Sequence, residues 1–198
     1  MAALRICFIG DSLVAGTGDS EYLGWAGRIC VAARGRGHDV TCYNLGIRGN
    51  TSADIVARWW REAGARTVEG EDCRLVFAFG VNDTKDVDGK PIVEPMQAIV
   101  QAREILGNAV AWLPTLMIGP PPIADPARNE RIADLSRRLA MLSAKIAVPY
   151  FGSFDSLTAS AAWAEALRAG DGVHPVAAGY AEWARLIDAW PAWRNWAP

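Results

Sequence analysis

The chain has 198 residues, 51% of them hydrophobic and 21% charged, a balance that fills a globular core and excludes a disordered chain. Its 20 Lys and Arg against 22 Asp and Glu give a formal net charge of -2. With no basic cluster in the sequence, nucleic acid is excluded as an expected partner. No apolar stretch approaches the ~20 residues of a membrane span.

Leu4–Ile9 is a continuous apolar run stopped by Gly10, the pattern of a strand buried on both faces. The run lacks the basic leader of an export signal. Leu23–Arg36 has helical spacing and closes at Gly37. Val40–Leu45 reads as a second strand, after which Thr51 or Ser52 caps a helix running to about Arg66, with Asp54 in its first turn. Arg74–Phe79 is a third strand, again stopped by a glycine, Gly80. Pro95–Leu106 reads as a helix and Val110–Ile118 as a fourth strand. Pro120-Pro121-Pro122 breaks the chain before a helix over Pro126–Ala147, and Val148–Phe151 makes a short fifth strand. Helices over Ala159–Ala169 and Val176–Trp190 complete the pattern. No repeat or linker divides it, so a single domain over residues 1–198 is expected.

Strands alternating with helices predict a parallel sheet covered on both faces, an α/β fold of three layers. In the flavodoxin-like order 2-1-3-4-5, strands two and three flank strand one. Ligands in such sheets bind beyond the carboxyl ends of the strands. Gly10-Asp11-Ser12-Leu13 follows the first strand and sets a hydroxyl at a strand-to-helix turn, near N–H groups able to stabilise negative charge. Alone, that serine is as well explained as a helix cap. Gly18-Asp19-Ser20 repeats the tripeptide but follows no strand, so Ser20 is assigned to a loop.

After the second strand comes a loop with two glycines, Gly46 and Gly49, and after the third comes Gly80-Val81-Asn82-Asp83. Asp171-Gly172-Val173-His174 precedes the last helix. A serine hydroxyl needs a base to take its proton, and the imidazole needs a carboxylate to fix its tautomer. His174, with Asp171 three residues earlier, supplies that pair to Ser12. The tetrahedral intermediate needs hydrogen-bond donors, for which the Ser12 N–H, the Gly49 N–H and the Asn82 amide are candidates. Asp11 orders the nucleophile turn, and Asp83 stands beside Asn82 in the same supporting position.

These four segments, in this order from residue 10 to residue 174, resemble the sequence blocks of the SGNH (GDSL) hydrolase family. The resemblance implies a three-layer α/β/α fold and hydrolysis of esters or thioesters through an acyl-enzyme. It also implies an oxyanion hole of Ser12, Gly49 and Asn82, with no metal or cofactor. Gly49 is preferred to Gly46 because the family's oxyanion glycine precedes a short polar pair, here Asn50-Thr51. A small-molecule ester is then the expected partner. A carbohydrate O-acetylesterase, or a non-catalytic binding protein on the same fold, are the alternatives. One mechanical requirement stands out: if strand five is an edge, the loop with His174 must reach back to strand one.

Other features have plainer readings. The four cysteines show no CxxC pair, so zinc has little support; they read as reduced thiols in the core of a cytoplasmic protein. His38 reads as a surface turn residue. Among nine tryptophans, Trp183, Trp190, Trp193 and Trp196 crowd the C-terminus, either packing the last helix onto the body or offering a homo-oligomer contact. Of Trp59 and Trp60, at most one can face inward. Specificity is expected in residues 83–94 and 120–128.

Overall fold

A computed structural model describes residues 3–197. Its strands are β1 (Leu4–Gly10), β2 (Val40–Gly46), β3 (Asp72–Ala78), β4 (Asp86–Val87), β5 (Lys90–Pro91), β6 (Thr115–Ile118) and β7 (Tyr150–Phe151). Its helices are α1 (Ser12–Ala15), α2 (Gly24–Gly35), α3 (Ser52–Gly64), α4 (Pro95–Trp112), α5 (Pro126–Lys145), α6 (Ser153–Thr158), α7 (Ala161–Ala169), α8 (Ala177–Asp188) and α9 (Pro191–Trp196).

Five strands make a parallel sheet in the order β2-β1-β3-β6-β7. With the separate β4–β5 hairpin set aside, this is the expected 2-1-3-4-5 order. Successive side chains of a strand point to opposite faces, and both faces here are apolar. Ile6 and Phe8 of β1 enter one core with Trp25 and Ile29 of α2, Trp163 of α7, and Tyr180 and Trp183 of α8. Cys7 and Ile9 enter the other with Ile55 and Trp59 of α3, Ile105 of α4 and Leu139 of α5. The result is the three-layer α/β/α fold.

Several boundaries differ from the sequence reading. Residues 110–112, expected in a strand, continue α4, whose buried stripe Ala98, Ala102, Ile105 and Ala109 holds its helical period to the end. The helix stops because Leu113 precedes Pro114 and takes extended angles, φ -139 and ψ 157. The fourth strand of the sheet, β6, is therefore only Thr115–Ile118. The final helix breaks for the same reason: Trp190, ahead of Pro191, is extended at φ -72 and ψ 128, and α9 starts afresh. A short α6 precedes α7, where one helix was expected. The hairpin went unread; it turns through Asp88 and Gly89, both at positive φ (53 and 80).

The C-terminal tryptophans pack onto the body: Trp183 and Trp193 are buried, and Trp190 and Trp196 lie against the same core. Trp59 faces inward at 3% exposure while Trp60 stays 53% exposed, its ring tilted 40° against that of Trp112. Cys7, Cys30 and Cys73 are buried, but Cys42 is exposed, which corrects its placement in the core: β2 is the sheet's edge strand and its outward positions face solvent. His38 lies in the turn ahead of β2. No helix among the described residues is long and apolar enough to cross a membrane.

Candidate active site

The strand ends that carry the site lie level with one another. Gly10 pairs with Gly46 of β2 on one side and Ala78 of β3 on the other. A side chain at Gly10 could not fit, since its Cβ would lie 2.0 Å from the Ala78 carbonyl oxygen. The chain then turns at once into α1. Asp11 caps this short helix, its Oδ1 accepting the Leu13 N–H at 2.9 Å, and Gly16 ends it at φ 78. Ser12 is thus the first helical residue, 5% exposed.

The His174 Nε2 lies 2.8 Å from Ser12 Oγ, and its Nδ1 lies 2.7 Å from Asp171 Oδ2. The other carboxylate oxygen of Asp171 accepts the Val173 and His174 backbone N–H groups at 2.9 and 2.7 Å, so the loop folds around its own acid. Burial alone would raise the Asp171 pKa. The bonds from the His174 ring, its backbone and the Val173 N–H outweigh that and hold the carboxyl down to about 2. Asp171 is therefore a fixed anion at neutral pH.

The long reach expected of this loop has a simple solution. α7 packs on α8, and α8 packs on α2, the helix that follows β1 and the nucleophile turn. The loop between α7 and α8 is thereby delivered over β1 from the face of the sheet, although β7 is at the edge. Tyr180 of α8 pins it there, donating to the Thr17 carbonyl at 2.7 Å. A Cβ at Gly18 would sit 3.0 Å from the Pro175 oxygen and 3.3 Å from His174 Cβ, so a glycine keeps this junction open. Ser20, by contrast, is exposed in a loop whose Asp19 is committed to Arg28 and to the Glu21 and Gly24 N–H groups.

The two glycines of the second loop separate by their neighbours. The Gly46 N–H donates to Asn44 Oδ1 at 3.0 Å, and a Cβ there would lie 2.2 Å from the Ala15 nitrogen. Gly46 lets β2 press against the nucleophile turn. Gly49 sits at φ 80 in open space, and its N–H, like that of Ser12, donates to no protein acceptor among the described residues. Asn82 donates from Nδ2 to the Asn50 carbonyl at 2.9 Å, and the same nitrogen is 3.5 Å from Asp11 Oδ2. The bond to Asp11 is the longer of the two, so the amide hydrogen making it is the one that can turn to a ligand. The sequence-derived residues Ser12, Gly49, Asn82, Asp171 and His174 thus come together at the carboxyl ends of β1, β2 and β3.

Beneath them lie two buried acids. Burial pushes the Asp11 carboxyl up to about 7, against the Leu13 N–H that stabilises its charge; nearby Asp83 adds to the rise. Asp83 is raised by burial too, opposed by the Ser52 N–H that its Oδ1 accepts at 2.8 Å. That bond latches the start of α3 to the segment carrying Asn82. Sequence reasoning missed the partners of these groups: Asn50, whose carbonyl orients Asn82, and Arg58, which reaches both Asn50 and Gly10. The i, i+4 row Asp54, Arg58, Glu62 was the available signal. Among the described residues no cluster of three or more His, Cys, Asp or Glu side chains could hold a metal ion.

The sequence profile of the GDSL-like lipase/acylhydrolase family matches residues 8–182. No curated protein sequence matches the chain. Similar solved structures include Axe2, an acetylxylan esterase from Geobacillus stearothermophilus, at 20% identity and a TM-score of 0.76, covering 94% of this chain and 93% of that one. A lipase/acylhydrolase from Enterococcus faecalis matches at 24% identity and a TM-score of 0.73, covering 93% of each chain. LAE5, an α/β hydrolase from the metagenome of Lake Arreo in Spain, matches at 19% and 0.74, covering 94% of each.

Proposed function

This chain belongs to the GDSL-like lipase/acylhydrolase family and hydrolyses ester bonds, and on that premise we propose that Ser12 is its nucleophile, activated by His174 and Asp171. The observation that carries the reading is the continuous relay of Ser12 Oγ, His174 and Asp171 at 2.8 and 2.7 Å. Ser12 Oγ attacks the ester carbonyl while His174 Nε2 takes its proton. Asp171 holds the ring's tautomer and stabilises the imidazolium without taking the proton itself. The Ser12 N–H, the Gly49 N–H and the Asn82 amide, which gives up its long bond to Asp11, bind the oxyanion. His174 returns its proton to the leaving alcohol or thiol, and a water activated by the same imidazole releases the acid from acyl-Ser12. Asp11 and Asp83 support the turn and the Asn82 segment, the described residues acting as one domain. No step requires a metal or cofactor.

Four free cysteines support a reducing, cytoplasmic setting. A carbohydrate O-acetylesterase is the second reading, favoured by the likeness to the acetylxylan esterase Axe2.

A panel of p-nitrophenyl esters of increasing acyl length tests the reaction on the wild type and Ser12→Ala. Activity is expected to collapse in the variant; undiminished turnover would remove Ser12 from the reaction. A fluorophosphonate probe followed by peptide mapping should label Ser12 and leave Ser20 untouched. Acetate release from acetylated xylo-oligosaccharides, compared with the p-nitrophenyl esters, separates the two substrate readings.

A further inference from the structure

Arg58 projects from α3, outside the relay, yet its guanidinium touches two parts of the site and is braced by a third contact within its own helix. Its Nη2 donates to the Gly10 carbonyl at 2.8 Å, at the strand end from which the nucleophile turn springs. Its Nε donates to Asn50 Oδ1 at 2.6 Å, one residue beyond Gly49. Its Nη1 is held by Glu62 Oε2 at 2.5 Å, one helical turn further on, which fixes the plane of the fork. The Asn50 carbonyl in turn accepts the Asn82 amide at 2.9 Å. One side chain, only 15% exposed, therefore bonds the strand end before Ser12 and the loop holding Gly49, and through Asn50 fixes Asn82.

We infer that Arg58 is a positioning residue that sets the spacing of the three oxyanion donors by bonding the Gly10 carbonyl and the Asn50 side chain at once. Each donor arises from a different strand end, on β1, β2 and β3. Strand pairing fixes the height of those ends, but the Gly46–Asn50 loop continues past the last paired residue. Within it, Asn50 donates to the Ile47 carbonyl, and Ile47 to that of Gly10, which holds the loop's base and leaves its tip to be located by side chains. A planar fork with several donors in fixed relation can do this; an ammonium on a flexible stem cannot. The Arg58 charge is neutralised by Glu62, so its effect on the site is the geometry of the donors. Correctly spaced donors favour the tetrahedral state over the neutral ester, so the effect belongs in kcat rather than KM.

The inference rests on the reading of Ser12 as nucleophile, and the two can fail separately. The experiment compares Arg58→Ala and Arg58→Lys with wild type and with Arg36→Ala. Arg36 forks onto Asp188 away from the site, at 3.0 and 2.9 Å, and serves as the control for loss of a part-buried ion pair. Expected for Arg58→Ala is a fall in kcat of about tenfold to a hundredfold with KM held within about twofold, as for donors displaced by a fraction of an ångström. Affinity for a boronate, which mimics the tetrahedral intermediate, should fall in parallel. Free guanidinium ion in the assay should restore part of the loss. Arg58→Lys keeps the charge and the fold while losing the fork, so it is expected to fall several-fold and to gain nothing from guanidinium. The acid limb of the pH profile should keep its midpoint in both, since neither His174 nor Asp171 is touched.

A folded Arg58→Ala or Arg58→Lys with wild-type kcat overturns the inference. So does a loss that follows the melting temperature and appears equally in Arg36→Ala. If Ser12→Ala is itself active, the reading of the nucleophile fails instead, whatever Arg58 does.

Discussion

Replacing Asp11 by Asn should remove a large part of the stability this protein loses in alkali. Asp11 is 2% exposed, and its carboxyl rises from 3.8 to about 7 because burial disfavours its charge. In the folded state it therefore keeps a proton that the unfolded chain has already released. Its contribution to stability is complete below about pH 4 and drains away as pH rises to about 7. At ~1.36 kcal/mol for each tenfold change in proton affinity, the rise from 3.8 to about 7 makes that loss about 4 kcal/mol, a large share of the stability of a domain this size. Asn is the neutral isostere and can still accept the Leu13 N–H, so the variant should lose the slope and keep the cap. Urea unfolding followed by tryptophan fluorescence, at intervals from pH 4 to pH 8, measures both proteins. Trp25, Trp163, Trp183 and Trp193 are all fully buried and report the transition. Subtracting the two curves removes the contribution of Asp83, which slopes the same way. The variant should match the wild type near pH 4 and exceed it near pH 8. A difference that stays flat across the range refutes the burial argument. Catalysis should suffer meanwhile, because the introduced amide donor would face Asn82 Nδ2 where Asp11 Oδ2 now lies, 3.5 Å away.

The remaining predictions concern the chemistry directly. Asn82→Ala should lower kcat roughly 10²- to 10³-fold with little change in KM, measured by steady-state hydrolysis of p-nitrophenyl acetate. Asp171→Asn should cost roughly 10²- to 10⁴-fold in kcat through the wrong imidazole tautomer. Since the Asp171 carboxyl is held down to about 2, its stabilising contribution is complete above about pH 4 and lost as pH falls toward 2; acid unfolding of Asp171→Asn should lack that limb. Gly46→Ala should lower the melting temperature sharply and disturb the nucleophile, because its Cβ meets the Ala15 nitrogen at 2.2 Å and the Asp11 oxygen at 2.7 Å. Gly49→Ala meets no atom and should cost only about 1–2 kcal/mol for its left-handed backbone; alanine keeps the N–H, so a large loss of kcat there reports its displacement.

The parts legible in the sequence share a physical cause. Strands buried on both faces are short apolar runs, and each of the first three stops where the backbone must turn toward the site. The residues at those stops, Gly10-Asp11-Ser12, Gly49 and Asn82, were therefore found together with their strands. Asp171 and His174 were legible because a carboxylate that bonds the N–H groups of its own loop leaves a short, local signature. The β4–β5 hairpin was not, although Asp88-Gly89 is a turn pair: two paired residues on each side carry no alternation to read. The extension of α4 through Trp112 was missed because Val110, Ala111 and Trp112 suit strand and helix alike, and only packing decides. Of Arg58 only its i, i+4 row with Asp54 and Glu62 was legible. Its partner at Gly10 is a backbone carbonyl, which every residue possesses, so the contact leaves no trace in the identity of its partner. The delivery of His174 over β1 likewise depends on α8 lying against α2, a relation between helices far apart in sequence.

The level alignment of Gly10 with Gly46 and Ala78 bears on how such a chain can change. A single residue inserted or deleted within β1, β2 or β3 would exchange the two faces of that strand and lift its loop out of line with the others. A change of length in those three segments is therefore expected to disrupt the site, whereas the hairpin of β4 and β5 pairs with nothing in the five-stranded sheet. New specificities can be grafted within the hairpin, residues 86–91, without touching Asp83 or the Asn82 segment. Diversification by loop exchange at that point, with point substitution alone elsewhere around the nucleophile, is the mode of change this architecture permits.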